Sequence, residues 1–465
     1  MDEAITTWSA TRQAAAIRAG EISSRELLEQ QLARVDTHNP VINAVVTLDV
    51  ARGRAAADAA DVDAARGAWR GPLHGLPVTI KDAIEVAGMR STGGAVELTD
   101  HIPERNAPVV ERLEAAGAVV FAKTNVPAWS ADIQTYNELF GPTNNPWATD
   151  RTTGGSSGGP AAAVACGFSS FEIGTDIGGS IRMPAHLCGI FGLKPSFGVV
   201  SQRGYLDHVG GGVIDADINV FGPLARTAED LDLLLDVLAG PPPEAALAWR
   251  LELPPPRHED LAGYRVGVWL DEPGVPIDPA VRAVLGRGVD ALADAGAQVA
   301  EAHPPVAFAE QRDLFYRLIA GATSTGSPAE VGDPFGGSHR AWLLATEERA
   351  ALAAVWADWF GSYDILVCPV LPTAAFPHDH AGSLFDRSLA VDGHDVPHIE
   401  LIGWVGLIGV LGLPVAVPPL GLTADGLPCG MQIVAPFLRD RDAVRVAGLL
   451  AAAMPGAGYS PPPGY

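Results

Sequence analysis

Apolar positions along this chain recur at two periods, and the two alternate. Roughly the first 60 residues read as helices, with Ser23 and Glu26 spaced as a capping box ahead of LLEQQLARV. LPVTI at 76–80 is a short apolar run that reads as a strand ending at Lys81. APVVERLEAAGAVVFAK then predicts an amphipathic helix, a stop at Gly117 and a strand over Ala118–Phe121. The same syntax returns at 278–299, where Asp278 is an N-cap, Pro279 opens the helix and Gly296 precedes another apolar stretch. YRVGVWL at 264–270, DILVCPV at 364–370, LPVAVPPL at 413–420 and CGMQIVAP at 429–436 read as strands, with a helix after the last. Residues 301–400 read as mostly helical. Strands alternating with helices of this length predict an α/β sheet covered on both faces.

The proline-rich stretch PPPEAALAWRLELPPP at 241–256 is the one compositional break, yet a strand pattern restarts at once behind it. One large domain over 1–465 with a surface crossover is therefore expected, rather than two independent units. No fixed-period repeat is visible, which disfavours a solenoid or propeller.

Composition narrows the class. Of 465 residues, 48% are hydrophobic and 18% charged, which fits a compact globular protein. No run approaches about 18 apolar residues, and MDEAITTW lacks a basic segment followed by an apolar one, so a cytoplasmic protein without membrane attachment is expected. The four cysteines, Cys166, Cys188, Cys368 and Cys429, are scattered without a metal-binding spacing. A net charge of −24 argues against nucleic acid as a partner. Of the 31 basic residues only Lys81, Lys123 and Lys194 are lysines, all inside the most glycine-rich part of the chain. Lysine can lose its proton on desolvation and act as a neutral base; a guanidinium stays charged.

Two glycine–serine clusters carry the candidate chemistry: TTGGSSGGPAAAVA at 152–165 and GTDIGGSIRMPA at 174–185. The first lacks the Gly-Lys-Ser/Thr ending of a phosphate-binding loop. It formally satisfies G-x-S-x-G centred on Ser157, the pattern of an α/β-hydrolase-type esterase. That elbow needs a strand running into it, and NNPWATDRTTGG reads as polar and turn-like; it also needs a late histidine, for which His378, His380, His394 and His398 are the candidates. In the second cluster, Ser180 follows two glycines ahead of a helical turn. The amides of Ile177, Gly178, Gly179 and Ser180 can there converge as an oxyanion hole. With Lys81 as a base and Ser156 as a relay hydroxyl, Ser180 has the parts of an activated nucleophile.

These segments together resemble the amidase signature family of Ser–Ser–Lys hydrolases. The matching stretches are GPLHGLPVTIKD, GPTNNPWATDRTTGGSSGGPAAAVA, GTDIGGSIRMPA, FGLKPSFGVVS, DILVCPVLPTAAFP and GLPCGMQIVAP. The resemblance implies a single α/β domain with a central twisted mixed sheet covered by helices. It divides the chain into a helical segment 1–65, a signature core of about 70–205 and a variable pocket region of about 300–410. It makes Ser180 the acyl-accepting nucleophile, Ser156 the proton relay behind a cis Gly155–Ser156 bond, and Lys81 the base. Ser157, Thr175, Asp176 and Arg182 hold the loops, while Lys123 and Lys194 are structural. Pro160 departs from the small residue or Glu usual after GGSSGG, and it suits the first turn of a helix.

The implied reaction is amide hydrolysis through an acyl-enzyme, with oxyanion donors worth ~3 kcal/mol each. No cofactor or metal is implied, the partner is a small-molecule amide, and a monomer or homodimer is expected. Trp129, Tyr136, Phe140 and Trp404, with segments near 310–345 and 400–412, are the candidate pocket residues; their apolar character points to neutral hydrophobic or aryl amides, with esters and carbamates as further candidates. The rival within the family is the glutaminase subunit of a tRNA-dependent amidotransferase. Such a glutaminase is expected to carry an acid about ten positions before its Gly-Leu-Pro, where this chain has Ile402, with Glu400 the nearest carboxylate.

Overall fold

The computed structural model describes residues 4–207, 212–242, 244–323 and 338–465. The N-terminal segment forms helices Ala10–Ala19, Ser24–Ile42 and Val50–Ala65. The capping box is present: Glu26 N–H donates to Ser23 Oγ at 3.1 Å and Ser23 N–H to Glu26 Oε2 at 2.9 Å. A short strand, Val45–Leu48, interrupts these helices, a departure from the all-helical reading. It is held by pairing with Val119–Thr124 some 70 residues on, a partner that local periodicity does not reveal.

Pro77–Lys81 and Val119–Thr124 pair in parallel, joined by helix Pro108–Ala115. A parallel pair needs such a crossover. Gly117 makes the return possible: its φ is +98°, and a β-carbon there would lie 2.6 Å from His74 Cα. With Val45–Leu48 these strands make a separate three-stranded sheet, so the strand ending at Lys81 lies outside the central sheet.

Among the described residues the central sheet has nine strands. Across it run Gln298–Glu301, Arg265–Val268, Ile365–Pro369, Pro428–Val434, Val415–Val417, Phe191–Lys194, Val220–Ala225 and Glu172–Asp176, with Pro419–Leu422 also on Pro428–Val434. The first three strands are mutually parallel and the others antiparallel, so the sheet is mixed. The LPVAVPPL run divides at Pro418 into two strands because neither Pro418 nor Pro419 has an N–H to donate. Every residue of Pro428–Val434, Val220–Ala225 and Glu172–Asp176 is buried. Successive side chains point to opposite faces, so both faces are covered.

The expected unit at 278–299 forms as helix Pro279–Asp294, capped by Asp278, and strand Gln298–Glu301. Residues 301–400 are less helical than the periodicity suggests. Helices Phe308–Thr323 and His339–Trp359 are followed by a strand and by the hairpin Ser388–Val391/His394–Pro397. Its turn residues Asp392 (φ 48°) and Gly393 (φ 77°) supply the left-handed pair that a two-residue hairpin demands. Residues 324–337 of the expected pocket region lie outside the described residues. Among the described residues no helix is long and apolar enough to cross a membrane, and the four cysteines are buried free thiols.

Candidate active site

Lys81 is the last residue of its strand and is fully buried. Thr79 shares its face, two residues back. Lys81 Nζ donates to three hydroxyls: Ser156 Oγ at 2.8 Å, Ser157 Oγ at 3.0 Å and Thr175 Oγ1 at 2.7 Å. No carboxylate is among these partners. Burial therefore pushes its pKa well below the ordinary lysine range, against the opposing pull of Asp176 and Glu172. A neutral amine in this position can accept the Ser156 proton.

The other two lysines differ in kind. Lys123 Nζ donates to the Ile84 carbonyl and to Ser91 Oγ, and Lys194 Nζ to the carbonyls of Leu413 (2.8 Å) and Pro195 (3.1 Å). Burial lowers them to about 8 and about 7 respectively, but among the described residues neither bonds to Ser156, Ser157 or Ser180.

Ser156 and Ser157 sit between strand Ala148–Thr152 and helix Gly158–Ala165. The approach read as turn-like is thus a strand, but it lies outside the central sheet, paired with Asn144–Asn145 in a two-stranded ribbon and bridged through Arg151 to Pro377. The Gly155–Ser156 bond is cis, and Pro160 occupies the first turn of the helix, where its missing N–H leaves no bond unmade. Ser157 is not an exposed elbow serine. Its hydroxyl accepts from Lys81 and from Thr175 N–H (3.2 Å), donates to the Thr175 carbonyl (3.4 Å), and has no imidazole partner among the described residues. His378 and His380 lie instead beside Tyr136, whose ring stacks on His380 at 4.0 Å. This corrects the esterase alternative centred on Ser157.

Asp176 fixes the Ser180 loop. Its carboxylate is fully buried against Arg182, taking Nη2 at 2.8 Å and Nε at 2.9 Å. It also accepts from Gly179 N–H (2.8 Å) and Ile181 N–H (3.2 Å). Burial alone would raise its pKa; the Arg182 guanidinium and these amides outweigh that and hold it low. Arg182 is anchored further by the Val405 carbonyl (2.7 Å) and Gln432 Oε1 (2.8 Å). The expected set of four converging amides loses one member, because the Gly179 N–H is spent on Asp176. Among the described residues no acceptor takes the N–H groups of Ile177, Gly178 and Ser180. Gly179, at φ +103°, is pressed against Val405, where a β-carbon would meet Cγ2 at 2.6 Å. Ser180 is 7% exposed, and no hydrogen bond joins its hydroxyl to Ser156 among the described residues.

The wall beside this loop is apolar. From the point where a Gly178 β-carbon would sit, Ile319 Cδ1 is 3.6 Å away, and Ile402 Cδ1 and Phe315 Cζ are each 3.7 Å away. Glu400 turns to Arg312 at 2.7 Å instead. The individual pocket candidates scatter. Trp404 belongs to the core, packed edge-on against Phe308 (5.0 Å) and Trp269 (5.7 Å). Phe140 lies under Arg90, Tyr136 bonds to Asp132, and half-buried Trp129 lies on the turn bonded to Gly93.

Three residues that sequence reasoning did not single out complete the site. Gln432 holds Arg182, and its signal was a lone amide within a strand buried on both faces. Glu172 accepts from Thr79 and Thr124 hydroxyls, each at 2.7 Å, tying the two sheets together; burial pushes it up to about 7. Tyr205 accepts from Thr175 Oγ1 at 3.2 Å.

A mixed α/β fold carrying this hydroxyl-lined lysine and glycine-rich serine loop is the setting of an amide hydrolase, and the known proteins it resembles agree. The family model described as Amidase matches residues 26–328 and 336–444. The chain is 34% identical to an acylamidase of Rhodococcus erythropolis over 97% of both chains. It is also 34% identical to a glutamyl-tRNA(Gln) amidotransferase subunit of Roseiflexus sp. (strain RS-1), over 93% of both. The crystal structure of a bacterial aryl acylamidase of the amidase signature family superposes with a TM-score of 0.81, at 26% identity and 96% coverage of each chain. The chain belongs to the amidase signature family and is an enzyme that hydrolyses amides.

Proposed function

We propose that this enzyme cleaves small neutral amides with a hydrophobic or aryl acyl group, through an acyl-enzyme on Ser180. The observation that carries the chemistry is the 2.8 Å contact between Lys81 Nζ and Ser156 Oγ in a shell of hydroxyls. Neutral Lys81 takes the Ser156 proton, and Ser156 takes the Ser180 proton as Ser180 Oγ attacks the amide carbon. The contact between the two serines tightens when substrate is bound, as catalytic contacts commonly do. The N–H groups of Ile177, Gly178 and Ser180 are the donors to the developing oxyanion. On collapse the C–N bond breaks, Ser156 protonates the departing nitrogen, and the lysine ammonium returns a proton to Ser156. Water then adds to the acyl carbon by the same relay and releases the carboxylic acid. Ser157, Thr175, Asp176 and Arg182 hold the loops that carry these groups.

The acyl preference rests on Phe315, Ile319 and Ile402, whose side chains supply the three nearest atoms to Gly178. The second reading, the glutaminase of a glutamyl-tRNA(Gln) amidotransferase, has the likeness to the Roseiflexus protein in its favour. Against it, Ile402 stands where an ammonium-binding acid is expected, and Glu400 is paired to Arg312. Rates on a panel of anilides, aliphatic amides, esters, carbamates and glutamine decide. The expected result is a kcat/KM for hydrophobic anilides at least about a hundredfold above glutamine; glutamine as the preferred substrate would overturn the reading.

A further inference from the structure

We infer that Tyr205 is a positioning residue that aims the lone pair of Lys81 at Ser156, acting through the Thr175 hydroxyl. The inference rests on the relay reading above. A neutral amine has two N–H groups and one lone pair, and Lys81 has three hydroxyl neighbours. Only one of those neighbours can donate to it, and which one does decides whether Lys81 serves as a base toward Ser156.

The hydrogens of the other two hydroxyls are already placed. Ser157 O–H donates to the Thr175 carbonyl while its oxygen accepts Thr175 N–H, so toward Lys81 it can only accept. Thr175 O–H donates to the Tyr205 phenol oxygen at 3.2 Å, so it too can only accept. The lone pair is left facing the Ser156 hydroxyl. Without the phenol oxygen, the Thr175 hydroxyl loses its outward acceptor and turns its hydrogen to the amine, in competition with Ser156.

Tyr205 is itself held in place. Its segment pairs with the residues just beyond Lys81: Leu206 N–H donates to Ala83 O at 2.8 Å and Glu85 N–H to Gly204 O at 2.9 Å. Its ring meets Phe221 edge-on at 5.4 Å. The charged groups facing Lys81 are Asp176 and Glu172, and those facing Tyr205 are Asp207 and Asp176. Removing the phenol oxygen leaves all of these unchanged.

The test is the rate of Ser180 labelling by a fluorophosphonate probe across pH, in Tyr205→Phe, Thr175→Val and the double variant. Tyr205→Phe keeps the ring packing, and its plateau rate is expected to fall about tenfold. Its acid limb is expected to move to lower pH, because the Thr175 hydrogen, deprived of the phenol oxygen, finds no acceptor on an ammonium ion, which destabilises the protonated form. The double variant should be no slower than Thr175→Val alone, since Tyr205 acts only through Thr175, and Thr175→Ser, which keeps the hydroxyl, should label faster than Thr175→Val. A native rate and pH profile in Tyr205→Phe, or losses that multiply in the double variant, would overturn the inference. Lys81→Ala measured alongside separates the two readings. Native labelling there defeats the relay itself, whereas a dead Lys81→Ala beside an unaffected Tyr205→Phe defeats only the role of Tyr205.

Discussion

Lys81 reaches Ser156 at 2.8 Å from within a fully buried site where, among the described residues, no carboxylate bonds to the amine. A lysine paired with an acid would be locked as an ammonium ion. One ringed by hydroxyls is poised to shed its proton and to take one back from a hydroxyl; Lys194, also buried and lowered, donates to two carbonyls, which have no proton to give.

Replacing Lys81 with alanine is expected to lower kcat/KM by about a thousandfold or more, the scale of a lost general base. Lys81→Arg should be no better, because guanidinium does not deprotonate. Hydrolysis rates on the best substrate of the panel check both.

Activity should fall as pH drops through the folded-state pKa of Lys81, since only the neutral amine accepts a proton. Burial places that acid limb well below the ordinary lysine range. A kcat/KM profile whose acid limb persists unchanged in Asp176→Asn is not expected, because Asp176 raises the Lys81 pKa and its neutralisation shifts the limb to lower pH.

Stability has its own pH signature. Lys194 is lowered to about 7 in the folded state from 10.5, so between those values the unfolded chain binds more protons and stability rises with pH. Lys194→Met should flatten the rise in Tm from pH 7 to 10, read by thermal melting in overlapping buffers.

Breaking the buried Asp176–Arg182 pair leaves a charge without its partner. Arg182→Met is expected to cost about 3–5 kcal/mol in denaturant unfolding and to free the loop that carries Ser180.

Much of this site was legible because its signals are local. The glycine–serine runs and the caps at Ser23 and Asp278 each depend on neighbours a few residues away, and Lys81 stood out as a lysine in a chain that mostly uses arginine. What escaped depends on distant partners. The seam of Glu172 with Thr79 and Thr124 joins two sheets across 93 and 48 residues, and no periodicity marks it. The Gly179 amide could not be struck from the oxyanion set before the Asp176 side chain was seen to turn onto it. Trp404 lies in an apolar run that gives no sign of which face meets substrate; Val405 and Ile402 proved nearer the loop. The hairpin at 388–397 was missed although Asp392–Gly393 signals it, because polar flanking residues hide the strand alternation.

The central claim is that Ser180, activated through Ser156 and Lys81, is the nucleophile. Fluorophosphonate labelling followed by peptide mass mapping tests it most directly. The label is expected on Ser180, abolished in Ser180→Ala and retained in Ser157→Ala. A label on Ser157, or undiminished labelling of Ser180→Ala, would contradict the account.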